Sequence, residues 1–237
     1  MKVLAIDSSG LVATVGIVTE EVVLAEYTVN FKKTHSQTLL PMMNEIVEMV
    51  DFDLKDADGI AITSGPGSFT GLRIGAATAK GLGLALNKPI IPVPTLEGLA
   101  YNLCGTNQLV CPMMDARRNQ VYTALYDFVG QDINIIENQK AVPVEEMMDQ
   151  INDLGREVIF LGDGSSAYSE IIHKNTKVKF SFAPLHLNRH RAGSVGALGI
   201  QYYKENKFVT ASEFAPIYLR LSQAERERAE RELGNRN

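Results

Sequence analysis

The sequence contains no tryptophan, and only two cysteines and four histidines in 237 residues. The cysteines, Cys104 and Cys111, form no CxxC pair. That usage suits a reducing compartment and offers no zinc framework. No apolar run reaches the length of a membrane span. The opening "MKVLAIDSS" is too short for a signal-peptide core. The expectation is a cytoplasmic protein without membrane attachment. An excess of basic charge is missing as well. The net charge of −5 argues against a stand-alone nucleic-acid binder, because neutralising phosphates needs a basic surface. A local basic patch stays compatible with it. There is no repeat of fixed period and no low-complexity linker.

What is present is ordinary for a soluble globular protein, with 45% hydrophobic and 22% charged residues. The length suits one large domain or two small ones, each with a core. Residues 2–7, 11–18 and 21–29 read as three strands, with Thr19-Glu20 as the turn between the last two. Thr34 or Ser36 can cap a following helix in which Leu39, Leu40, Met43, Ile46, Val47 and Val50 recur at helical spacing. Residues 58–63 read as a strand, 68–87 as a helix, 89–93 as a strand and 95–103 as a short helix. A second unit begins near Gly105. It has a hairpin around Arg117–Asn119, a third strand at "INIIEN", a helix opened by Pro143, a strand at "EVIFLGDG", a helix at "SSAYSEIIH" and another over 191–205. The tail from Ser222 alternates four Glu with four Arg, a solvated helix or frayed tail rather than an acidic or basic arm.

The stretch "SGPGSFTGLRIG" (64–75) looks like a phosphate cradle but fails both nucleotide templates. No Gly-Lys-Ser/Thr follows, and the glycines are wrongly spaced for a dinucleotide fingerprint. It reads better as a strand-to-helix elbow. Gly65 and Gly67 permit positive φ, Pro66 fixes the turn, and Ser68 or Thr70 caps the helix. That helix carries small residues in a row: Gly71, Gly75, Thr78 and Ala79, with Gly83 beyond and Leu72 and Leu82 around them. Each interior glycine costs about 1 kcal/mol against alanine, so close approach of another helix is the expected reason. That neighbour can belong to the same chain or to a partner.

Asp7 ends the first strand, with Ser8 and Ser9 behind it, and offers a residual nucleotide site or a plain polar strand end. His35 opens the first long helix without a nucleophile nearby and suits a cap or an interface. His186 and His190 are four apart but lack a third ligand. Arg117, Arg118, Arg189 and Arg191 can form a modest basic patch or a solvated surface. Leu39, Leu40, Met42, Met43, Ile46 and Val47 cover more of their helix than one core-facing stripe needs, which points to an interface.

The order of elements resembles the ribonuclease H-like layout of the actin-like ATPases, two-lobed α/β proteins with a mixed sheet in each lobe. Five blocks in order, "AIDSS", "THSQTLLP", "SGPGSFTGLRIG", "MDARRNQVY" and "PIYLR", closely resemble the TsaB family, also called YeaZ. The resemblance covers nearly the whole chain. It implies a non-catalytic paralogue that pairs with TsaD and the small ATPase TsaE. Together they transfer threonylcarbamoyl to N6 of the adenosine beside the tRNA anticodon. It also implies that the first two helices of the N-terminal lobe bundle with TsaD, or with a second copy of the chain when TsaD is absent. The implied interface is then Leu39, Leu40, Met43, Ile46, Val47, Gly71, Leu72, Gly75, Thr78, Ala79 and Leu82, reached through the elbow Gly65–Ser68.

TsaD carries its metal on a His-x-Glu-Gly-His segment. Here Glu97 and Gly98 remain, but Thr95 and Leu99 hold the histidine positions. Leucine cannot bind a metal and threonine is a poor ligand. The second lobe runs into "MMDARRNQ" without the paired glycines of a phosphate loop. The expectation is therefore a scaffold with no metal and no cofactor, touching tRNA only within the complex, with Asp7, Ser8 and Ser9 a vestigial nucleotide site. The expected lobes are 1–104 and 105–206, with 207–237 packing back on the first. The alternatives are an ATP-dependent enzyme using Asp7 and the "GDGSS" loop (162–166), or a peptidase acting on TsaD.

Overall fold

Lys2–Asp7 forms β1, the middle strand of the first sheet. Its near-continuous apolar run is what a strand covered on both faces requires. The computed structural model describes residues 1–31 and 35–220. β2 (Ala13–Thr19) and β3 (Val23–Val29) follow as an antiparallel meander, with Asp7 opposite Thr14. α1 (His35–Met49), β4 (Gly59–Thr63), α2 (Phe69–Leu86) and β5 (Ile90–Val93) complete the unit, and β4 and β5 run parallel to β1. The sheet order is β3-β2-β1-β4-β5.

After α3 (Thr95–Ala100), the second sheet is built from β6 (Leu109–Asp115), β7 (Gln120–Val129), β8 (Asp132–Pro143), β9 (Val158–Leu161) and β10 (Phe180–Phe182). Its order, β8-β7-β6-β9-β10, repeats the first sheet strand for strand, including which pairs are parallel. The chain is thus a two-lobed α/β protein of the actin-like type, built from one repeated unit. α4 (Val144–Leu154), α5 (Asp163–Ala167) and α6 (Ser169–Asn175) belong to the second unit, and α7 (Ala192–Lys204) follows it.

The lobes exchange their last helices. α3 follows the first sheet, yet Leu96, Leu99 and Ala100 pack against Val110, Met114 and Tyr126 of the second. α7 follows the second sheet, yet Ala192, Val195 and Leu198 pack against Val3, Ala5 and Ala61 of the first. The boundary at residue 206 expected from sequence therefore differs from the packing: α7 belongs to the first core. The cause is that one face of the first sheet is covered by α1 and α2 and the other would lie bare without α7. Residues 209–217 run back along the first lobe, where Val209 pairs with Ile90 and Ala211 and Phe214 enter the core.

The element readings differ in smaller ways. The predicted helix over "SSAYSEIIH" splits at Tyr168 into α5 and α6, and β10 has no counterpart among the expected elements. The predicted cap Thr34 and the Glu/Arg tail lie outside the described residues.

Candidate functional site: the elbow and the interlobe cleft

The elbow forms as its residue types require. Gly65 adopts φ +118°, a conformation that side chains other than hydrogen rarely take, and the Gly65–Pro66 bond is cis. Ser68 caps α2 by accepting from the Gly71 N–H at 3.3 Å. Gly67 does not use a positive φ; a Cβ there would collide with the Ser9 carbonyl oxygen, so its reason is close approach. The Ser68 N–H donates to that same carbonyl at 2.6 Å.

The small residues of α2 have the same explanation. A Cβ on Gly71 would overlap the Ser8 carbonyl oxygen, and one on Gly75 would overlap the Ser8 hydroxyl. Leu72 and Ala79 are buried in the chain's own fold. The neighbour that Gly71 and Gly75 admit is thus Ser8, just after β1, and Ala79 lies in the core, so this row is not the partner face that the resemblance implies. Leu39, Met43 and Ile46 of α1 are likewise core residues, at 2%, 3% and 5% exposure. Of the expected interface, Leu40 is exposed, and Val47, Thr78 and Leu82 are half-buried. A different row faces outward on α2: Ala77, Gly81 and Ala85, four residues apart, with Leu84 exposed beside it. Among the described residues, no side chain stands within 4 Å of a Cβ built on Gly81.

Asp7 is 1% exposed, and its carboxylate is fully engaged. Oδ1 accepts from the Ser9 N–H at 2.8 Å, the Ser9 hydroxyl at 2.6 Å and the Thr63 hydroxyl at 2.9 Å. Oδ2 accepts from His190 Nδ1 at 2.9 Å. Burial pushes the Asp7 carboxyl up, but the His190 imidazolium and the hydrogen bonds from His190 and Ser9 outweigh it and hold it below the usual carboxylate range. Burial pushes His190 down, but Asp7 and, farther off, Asp163 raise it above the usual imidazole value, against an opposing effect from Arg189. Ser8 donates its hydroxyl to the Gly71 carbonyl at 2.9 Å. The three residues expected as a vestigial nucleotide site thus serve one another and α2.

A cleft of about 600 Å³ opens above them between the lobes. Ser9, His35 and Phe69 of the first lobe and Asp115, Arg117 and Asp163 of the second line it, together with Tyr218 and Arg220. The Asp7 and "GDGSS" segments therefore do lie near one cavity, as the ATPase alternative expects, although Asp7 itself is buried and does not line it. The Gly162 turn after β9 (φ +99°) repeats the Gly65 turn after β4. His35 Nε2 meets the Gly10 carbonyl at 2.8 Å.

Thr95 and Leu99, the positions where the resemblance implies histidines in TsaD, serve the fold here. The Thr95 hydroxyl accepts from the Gly65 N–H at 3.1 Å, and Leu99 is 1% exposed in the core that joins the lobes. Glu97 is buried and accepts from the Tyr202 hydroxyl, tying α3 to α7; burial raises its carboxyl against that bond and Lys207. His186 is exposed and His190 buried against Asp7, so the two do not converge. Among the described residues no cluster of three or more acidic, histidine or cysteine side chains is arranged to hold a metal. Arg191 pairs with Glu26 at 3.0 Å and Arg189 donates to Asn188 and Ser166, which leaves Arg117 and Arg118 as the exposed pair of the expected patch.

The chain is 32% identical to the "tRNA threonylcarbamoyladenosine biosynthesis protein TsaB" of Bacillus subtilis, across 95% of this chain and 96% of that one. The chain belongs to the TsaB family. The relative of that name in Escherichia coli is 30% identical, across 93% of this chain and 95% of that one. A family profile described as "TsaD: tRNA N6-adenosine threonylcarbamoyltransferase" matches residues 23–228. Among solved structures, "YeaZ from Pseudomonas aeruginosa" superposes with a TM-score of 0.76 at 25% identity, covering 92% of this chain and 99% of that one. No helix among the described residues is long and apolar enough to cross a membrane.

The sequence missed the partner of Asp7. A signal was available: a buried carboxylate needs a cation, and His190 stands out in the sequence, although there it is weighed only against metal binding and lacks a third ligand. The bond of Glu97 to Tyr202 joins two helices about a hundred residues apart in the chain. No local pattern announces it.

Proposed function

We propose that this chain is a non-catalytic scaffold subunit in tRNA threonylcarbamoyladenosine formation. It docks through α1 and α2 on its TsaD partner, holds that partner in an active arrangement and presents a surface to TsaE. The observation that supports it best is the state of Asp7, Ser8 and Ser9. Their polar groups bond to one another, to His190 and to α2, and Asp7 does not line the cleft, which argues against a working site for a metal-bound phosphate. The core roles of Thr95 and Leu99 argue in the same direction.

The docking face proposed is narrower than the one read from sequence. It consists of the accessible positions Leu40, Ala77, Gly81, Leu84 and Ala85, with Val47, Thr78 and Leu82 at its edge. Small side chains four apart on a helix allow close approach of a neighbouring helix. In isolation the same face would pair with a second copy of the chain. Cytoplasmic residence, the absence of a cofactor and contact with tRNA only inside the complex belong to the same proposal.

The test is transfer of threonylcarbamoyl to tRNA by cognate TsaD and its other components, with and without this chain. The chain is expected to raise transfer severalfold while hydrolysing no ATP alone. ATP turnover by the isolated chain, lost on Arg117→Ala in the cleft, would overturn the reading.

A further inference from the structure

The last described residues, 216–220, do more than end the chain. The Ile217 N–H donates to the Ser64 carbonyl at 2.7 Å, just before the elbow. The Ile217 carbonyl oxygen occupies the space that a Cβ on Gly65 would need. The Tyr218 ring lies 4.5 Å from the Phe69 ring at the start of α2, and the Arg73 guanidinium carbon lies 4.0 Å from the centroid of that same Phe69 ring. Arg220 then reaches the other lobe, donating from Nη1 to the Ala116 carbonyl at 2.6 Å in the β6–β7 turn. Tyr218, Leu219 and Arg220 all line the cleft.

We propose that residues 216–220 form a strap that latches the two lobes across the mouth of the cleft, with Arg220 as the catch. Outside the cleft lining, the segment that leads into α7 is held independently, by Asp7 to His190 and by Asn102 to the Leu187 and Arg189 carbonyls. Two units joined by a few connecting segments can move as a hinge, and a contact made from one unit to the other across the cleft limits how far it opens. The turn that Arg220 holds is itself unusual: Arg117, Arg118 and Asn119 all have positive φ, at 67°, 57° and 56°. Left-handed backbone is uncommon for arginine and persists where surrounding contacts fix it.

The strap also starts from the docking helix. Lys80 of α2 donates to the Ser212 and Phe214 carbonyls at 3.1 and 2.9 Å, and Ala211 and Phe214 share the core with Ala76 and Ala79. One continuous segment therefore connects α2 to the rim of the cleft. The latch itself does not rest on the proposed partner.

The experiment uses the full chain alone. Spin labels go on Glu48 in the first lobe and Glu146 in the second, both exposed, with Cys104 replaced by serine. The label-to-label distance should be a single narrow distribution in the parent. Arg220→Ala and Tyr218→Ala should each add a longer, broader population while the chain stays folded, with a melting temperature lower by only a few degrees. Arg220→Lys, which can still donate to a carbonyl, should restore most of the parent distribution. Amide exchange at residues 116–120 should rise about tenfold in Arg220→Ala, the factor expected from losing one charged hydrogen bond. Superimposable distributions in parent and Arg220→Ala, or faster exchange spread evenly over both lobes, would overturn the latch.

Discussion

His190 Nδ1 lies 2.9 Å from Asp7 Oδ2, joining the end of the first strand to the segment that leads into α7, 183 residues later. Both side chains are almost fully buried, at 5% and 1% exposure. Removing one member of such a pair leaves an uncompensated charge in the interior. Asp7→Asn is expected to lower unfolding free energy by about 3–5 kcal/mol, measured by urea denaturation near neutral pH. A loss under 1 kcal/mol would show that the pair is unimportant to the fold.

The same pair predicts a pH profile. His190 is raised in the folded state, so its stabilisation is complete below its ordinary value of 6.5 and is lost as pH climbs through the higher folded value. Asp7 is lowered, so its share is present above its ordinary 3.8 and is lost as pH falls through the lower folded value. Stability should hold between those two limits and decline above 6.5. His190→Gln should remove the alkaline decline. A decline of unchanged slope in that variant would assign it to another group.

The glycines of α2 should separate fold from docking. Gly75→Asp places a side chain on the Ser8 hydroxyl and should destabilise the monomer by more than the ~1–3 kcal/mol typical of overpacking, because it also buries a charge. Gly81→Arg stands in open space and replaces a poor helix former, so its melting temperature should equal or exceed that of the parent. Equal melting temperatures for Gly75→Asp and the parent would mean that the helix does not sit against Ser8.

Thr95 gives a further prediction. Thr95→Val keeps the shape but leaves the Gly65 N–H without its acceptor, a loss of roughly 1–3 kcal/mol. Thermal unfolding checks it, with Thr95→Ser as the control that retains the hydroxyl. A Thr95→Val variant as stable as the parent would show that this hydrogen bond does not hold the elbow.

Much of this molecule was legible before its structure. The apolar run of residues 2–7, the alternation of strands and helices, and the Gly65–Ser68 elbow all follow from local periodicity and turn chemistry. The motif blocks led to the family. What local pattern could not supply was direction. The row Gly71, Gly75 and Ala79 correctly announced a close neighbour, but spacing along one helix cannot tell an intramolecular neighbour from a partner; only the position of Ser8 does. The destination of α7 was hidden for a related reason. It is apolar on the side facing Val3 and Ala5, and sequence does not say which of two repeated sheets receives it. His190 showed as a titratable residue, but its role depends on a carboxylate at the far end of the chain.

The account stands most directly on one measurement: the mass, by light scattering on a sizing column, of the purified chain mixed with cognate TsaD. The parent should form a one-to-one species that replaces the peak of the chain alone. Gly81→Arg should fold normally and form none. A full-strength complex with Gly81→Arg, or no complex with the parent, would contradict the docking of α2 that the account requires.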